Sequence, residues 1–82
     1  MGTIEIIRKN FDLAAKFNLF AADHPEVLDG LPTDASLVFL SRSKKMNAYN
    51  LKLGRGIRRK DKTPVYQAIL AGRKWRIEPL AA

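Results

Sequence analysis

The stretch that decides the fold is residues 35–71, ASLVFLSRSKKMNAYNLKLGRGIRRKDKTPVYQAILA. It opens with a short apolar run, Ala35–Leu40, and closes with a second, Val65–Ala71, broken by Gln67. Runs of this length, bounded by turn residues, read as buried strands. Between them Met46, Tyr49, Leu53 and Ile57 recur at i, i+3, i+7 and i+11, a narrow apolar stripe on a helix. Lys44, Lys45, Lys52, Arg55, Arg58 and Arg59 project on the opposite arc, and Ser43 is the expected N-cap. Gly54 and Gly56 are awkward inside a helix, since each costs about 1 kcal/mol relative to alanine. Ile57 nevertheless keeps the stripe in phase, so the helix is expected to continue through both. Strand, helix, strand then implies a parallel pair joined by a right-handed crossover.

Working outward, Asp61–Pro64 and Ala71-Gly72-Arg73 read as turns. Trp75 and Ile77 alternate with Lys74, Arg76 and Glu78, the pattern of a strand with one wet face, which adds an antiparallel edge. Upstream, a first helix is expected from about Thr3, as N-cap, to Ala22, stopped by His24-Pro25. It carries two apolar stripes: Ile4, Ile7, Phe11, Ala14 and Ala15 on one side, Ile6, Leu13, Phe17 and Phe20 roughly opposite. Pro25–Asp29 reads as a single helical turn ended by Gly30. The expected fold is α/β, bordering on α+β, in the order helix, short helix, strand, helix, strand, strand. It is one domain over residues 1–82, a three-stranded mixed sheet packed by two long helices. Two long helices leave apolar surface uncovered, so a homodimer is expected, with Ile6, Leu13, Phe17 and Phe20 as its self-association stripe.

Charge is distributed unevenly. Residues 1–41 carry three basic and six acidic side chains; residues 42–82 carry twelve basic and two acidic, and the whole chain stands at +7. A basic helix face set against an apolar stripe attracts anions, and nucleic-acid phosphates reward clustered Lys and Arg through counterion release. The contacts expected on this reading are Lys44, Lys45, Lys52, Arg55, Arg58 and Arg59, with Arg73, Lys74 and Arg76 as auxiliaries. The competing reading is a solvated face that keeps a basic protein soluble. No helix-turn-helix, zinc-finger or GxxG signature accompanies the charge, so the signal is electrostatic.

Other chemistry is sparse. With no cysteine and one histidine, thiolate and multi-histidine metal sites within one chain are excluded, and neither metal nor cofactor is expected. His24, flanked by Asp23 and Glu26, holds the raw material of acid–base work, but at the start of a helical turn these residues more often cap free N–H groups. Phe11, Phe17, Phe20, Phe39 and Trp75 fall on predicted apolar faces and are expected in the core. Tyr49 borders the basic arc, where it is read as a partly buried helix tyrosine that could otherwise stack on a base. Free N–H groups near Ser41–Ser43 offer an anion site, though capping by Ser43 is the commoner use. The apolar runs are far short of a membrane span, and no basic n-region leads into an apolar h-region, so no membrane association and a cytoplasmic location are expected.

Several short motifs recur together: Asn10-Phe11-Asp12-Leu13 with Phe17, His24-Pro25-Glu26, Leu31-Pro32, Tyr49-Asn50-Leu51 and Pro64-Val65-Tyr66. In this the chain resembles a family of small uncharacterised prokaryotic proteins, a domain of unknown function of about this length. The resemblance implies the α/β fold and a cytoplasmic location, and it brings no activity or site residues. Members of that family have a second helix more mixed in charge, so the basic density here is a departure. The expected function is a small non-enzymatic binding domain whose basic helix meets an anionic partner, RNA or DNA first. The alternatives are a protein-interaction module that docks an acidic protein or uses the apolar first helix, and an enzyme built on carboxylates and arginines.

Overall fold

The computed structural model describes residues 2–80. Helix α1 spans Thr3–Asp23, a 3-10 turn follows over Pro25–Leu28, and then come β1 (Ser36–Leu40), α2 (Lys44–Asp61), β2 (Val65–Ala71) and β3 (Lys74–Pro79). The element order is the expected one. The sheet runs β1-β2-β3, with β1 parallel to β2 (Ser36 opposite Val65, Leu40 opposite Ile69) and β3 antiparallel to β2 (Ala71 opposite Lys74). Gly72 takes the first of the two hairpin loop positions at φ +67°, a left-handed conformation that glycine adopts without steric cost.

Alternation along the strands separates two packed faces. Leu37, Phe39, Ala68, Leu70, Trp75 and Ile77 pack with Ile6, Leu13 and Phe17 of α1. At the centre Phe17, Phe39 and Trp75 form a mutual aromatic contact with ring centroids 5.3–5.9 Å apart, two of the three pairs edge-to-face. Val38 and Val65, on the other face, pack with Leu80, Leu51 and Ile57. Gly54 of α2 sits over them: a Cβ there would lie 3.1 Å from Val38 and 3.4 Å from both Val65 and Leu80. Glycine at 54 is therefore what lets α2 lie close to the sheet.

The expected self-association stripe needs correcting. Ile6, Leu13 and Phe17 are buried in the chain's own core, and Phe20 packs against them. Ile6, Leu13 and Phe17 cover the sheet and are not free for a second subunit, and Phe20 is half-buried. The opposite stripe is the open one: Ile4, Ile7 and Phe11 are exposed, Phe11 by 71%. Phe11 thus also departs from its expected place in the core. Thr3 is the first helical residue, and Gly2 takes the N-cap position without a side-chain cap. Both stripes satisfy helical periodicity equally well; what chooses between them is the larger payload of Phe17 against Phe39 and Trp75, which periodicity does not contain.

One polar connection crosses the core boundary. Asn50, 2% exposed, donates from Nδ2 to the Phe39 carbonyl (2.7 Å) and to Asn10 Oδ1 (2.8 Å), while its own Oδ1 accepts from Asn10 Nδ2 (3.0 Å). Phe39 lies on β1, which has β2 on one side and, among the described residues, no further strand on the other. The amide pair therefore ties α1 and α2 to the edge strand, and it satisfies polar groups that would be costly to bury alone.

Candidate anion-binding surface

Helix α2 begins where sequence reasoning puts it. Ser43 Oγ accepts from the Met46 amide (3.4 Å), so the serine caps the helix. The preceding loop is pinned by Asn47, whose Oδ1 accepts from the Ser41 amide (2.9 Å) and whose Nδ2 donates to the Ser41 carbonyl (2.7 Å). The helix runs unbroken through Gly54 and Gly56 to Asp61, and Lys62 closes it in a left-handed conformation at φ 54°.

Lys44, Lys45, Lys52, Arg55 and Arg59 are all exposed on α2. At a rise of 1.5 Å per residue they extend over about 22 Å. Among the described residues none of them is in an ion pair; the contacts present are Arg76–Glu78 and the imidazole–carboxylate contact His24–Glu26. Arg58 departs from the set: it is half-buried and donates from Nη1 to the Leu80 carbonyl (3.3 Å), so it fastens the end of the chain's last strand to α2. Arg76 is held by Glu78 (3.2 Å), and Glu78 in turn accepts from Gln67 Nε2 (2.9 Å). Lys74, next to Arg73 on β3, is exposed.

Arg73 belongs to a second basic feature that the sequence reading did not assemble. A cleft of about 600 Å³ lies between α1, the Ser41–Ser43 loop and the β2–β3 turn. Lys9, Lys16, Arg42 and Arg73 line it together with Asp12, over apolar ground that includes Leu13, Met46 and Leu70. These four cations come from three separate elements. Lys9 and Lys16 are seven residues apart and so share a side of α1, a signal visible in sequence. That this side meets Arg42 and Arg73 depends on tertiary packing alone.

At the junction of α1 and the 3-10 turn, His24 Nδ1 lies 3.4 Å from Glu26 Oε1 and the imidazole is 4.5 Å from the Phe20 ring. Asp23, His24 and Glu26 are all exposed, and no side chain caps the turn. The capping expected of Asp23 or His24 is therefore not made. The arrangement there is a surface imidazole–carboxylate contact beside an aromatic ring, with no enclosed site around it among the described residues.

A family model described as a family of unknown function (DUF5647) aligns with residues 5–80. The chain belongs to that family. It is the kind of small uncharacterised domain that the short motifs resemble, and the DUF5647 match takes in all of them, including the two asparagines that meet at the edge of β1. No curated protein and no solved structure matches the chain. No helix among the described residues is long and apolar enough to cross a membrane.

Proposed function

We propose that this DUF5647 member is a small non-enzymatic binding domain that takes a polyanion, RNA or DNA, on the outer face of α2. The observation that carries the reading is the row of exposed cations, Lys44, Lys45, Lys52, Arg55 and Arg59, without an ion-pair partner among the described residues. A helix face used only for solubility is commonly laced with acidic residues that relieve like-charge repulsion; here the one acid of α2 is Asp61, in its last position. The cleft adds Lys9, Lys16, Arg42 and Arg73 beside the start of the same helix, and Lys74 extends the basic surface along β3. Arg58 and Arg76, engaged within the chain, contribute field and not contacts. Binding of this kind is weakly sequence-dependent and falls steeply with salt. Fluorescence anisotropy with labelled RNA and DNA oligonucleotides at low salt tests it. Binding that drops at least tenfold in a Lys52→Glu/Arg55→Glu variant is the expected result, and absent or unaffected binding refutes the reading.

A second reading rests on the other helix. Ile4, Ile7 and Phe11 form an exposed apolar stripe on α1, and covering such a stripe against a second copy of the chain is the simplest route to a homodimer. An acidic protein partner is the alternative use of the same two helices. Light scattering at high micromolar concentration should give a dimer for the native chain and a monomer for Phe11→Lys. A native monomer would remove this reading and leave the first untouched.

A further inference from the structure

The two glycines of α2 stand in different surroundings. Gly54 is explained by the close approach of Val38, Val65 and Leu80. Gly56 is not explained by any contact among the described residues: a Cβ added there would have none of them within 4 Å, and its backbone lies inside a regular helix. Glycine at such a place weakens the helix by about 1 kcal/mol relative to alanine, and one recurrent reason to keep it is the close approach of a ligand to the backbone. Gly56 lines a groove of about 490 Å³ along α2, together with Tyr49, Leu53 and Ile57. Lys52 and Lys60 flank this apolar ground, and Asp61 closes its far end. Tyr49 is 39% exposed and Leu53 50%, so an aromatic ring and an aliphatic side chain are both open to a visitor.

We infer that this groove receives an unpaired nucleobase, which makes the partner of α2 a single-stranded nucleic acid. The inference rests on the polyanion reading above and sharpens it. A base is flat and apolar on its faces and is joined to phosphates at its edge. It would stack against Tyr49 and lie over the bare backbone at Gly56, with its neighbouring phosphates near Lys52 and Lys60. Aromatic stacking inside a basic groove is the general way in which single strands are held without sequence readout, and a base paired inside a duplex has no face to offer. The charge of the rim suits such a ligand better than an uncharged apolar peptide.

The test compares a fluorescein-labelled 12-nucleotide single strand with a duplex of the same sequence, at equal ionic strength. The native chain should bind the single strand at least tenfold more tightly. Tyr49→Ala should lose about tenfold on the single strand, as removal of one stacked base does, whereas Tyr49→Phe should retain native affinity. Gly56→Gln fills the groove and improves helix propensity, so it should weaken single-strand binding several-fold while its thermal midpoint rises, which separates a blocked groove from a damaged fold. Equal affinity for duplex and single strand, with neither Tyr49→Ala nor Gly56→Gln changing it, would overturn the inference yet leave the polyanion reading standing. Loss of all binding dependence on Lys52 and Arg55 would remove that reading itself. Displacement from the groove by a peptide of alternating Glu and Leu, with no measurable single-strand binding, would assign the groove to an acidic protein and overturn the inference as well.

Discussion

Helix α1 packs on one face of the sheet and α2 chiefly on the other. The two meet through the Asn10–Asn50 amide pair and through Met46, which joins the core cluster of α1, yet they present different chemistry to solvent. α1 buries Ile6, Leu13 and Phe17 and leaves Ile4, Ile7, Phe11 and Leu19 exposed. α2 buries Met46, Asn50 and Gly54 and exposes six cations beside Tyr49 and Leu53. The contrast teaches that the inward face of each helix is chosen by packing volume, while the outward face is free to carry whatever a partner requires. An apolar outward face is attracted to another apolar face; a cationic one is attracted to phosphate.

The sharpest way to break the comparison is within α1. Phe17→Ala removes one member of the Phe17–Phe39–Trp75 contact and should destabilise the chain by about 3–5 kcal/mol. Phe11→Ala should change the stability of the isolated chain by less than about 0.5 kcal/mol. Paired urea melts decide this, and equal losses would mean that the two stripes of α1 have been exchanged. The joint between the helices comes next. Asn50→Ala leaves the Phe39 carbonyl and the Asn10 amide without their buried partner and should cost about 2–3 kcal/mol in the same assay. Asn10→Ala, at a half-buried position, should cost less.

The smallest effects separate the two glycines of α2. Gly56→Ala should stabilise by up to about 1 kcal/mol, because helix propensity rises and nothing stands in the way of the methyl group. Gly54→Ala gains the same propensity but sets a methyl 3.1 Å from Val38, so its melting temperature should fall below that of Gly56→Ala. A Gly54→Ala chain as stable as Gly56→Ala would show that α2 can lift from the sheet without loss.

How much of this could be seen in the sequence varies by element. The β1–α2–β2 unit was legible because each piece has its own period or stop signal: Ser43 caps, and Val65–Ala71 is apolar throughout except Gln67. The inward face of α2 was not: Tyr49 and Leu53 of the expected stripe are exposed, and Met46, Asn50 and Gly54 are buried instead, because α2 turns Gly54 to Val38 and Val65 and Asn50 to Asn10. Which stripe of α1 faces inward was not legible, since two apolar stripes of similar strength fit the same helix and only the aromatic contacts across the sheet distinguish them. Of the basic surface, the cations of α2 follow from helical spacing. The engagement of Arg58 by the Leu80 carbonyl and of Arg76 by Glu78 depends on how β3 lies beside α2 and β2, which no local pattern contains. Lys9, Lys16 and Arg42 escaped notice for the same reason, because α1 and the Ser41–Ser43 loop meet only in the folded chain. Asn10 and Asn50 stood in the motifs from the start; their shared hydrogen bonds give those motifs a structural purpose.

The cationic face of α2 is tested most directly by the salt dependence of binding to a labelled single-stranded oligonucleotide. If Lys44, Lys45, Lys52, Arg55 and Arg59 each neutralise a phosphate, the logarithm of the association constant should fall against the logarithm of salt with a slope of about −3.5. The Lys52→Glu/Arg55→Glu chain should bind at least tenfold more weakly and with a shallower slope. No binding at about 50 mM salt, or a native slope retained by the double variant, would contradict a role for this face in holding an anionic partner.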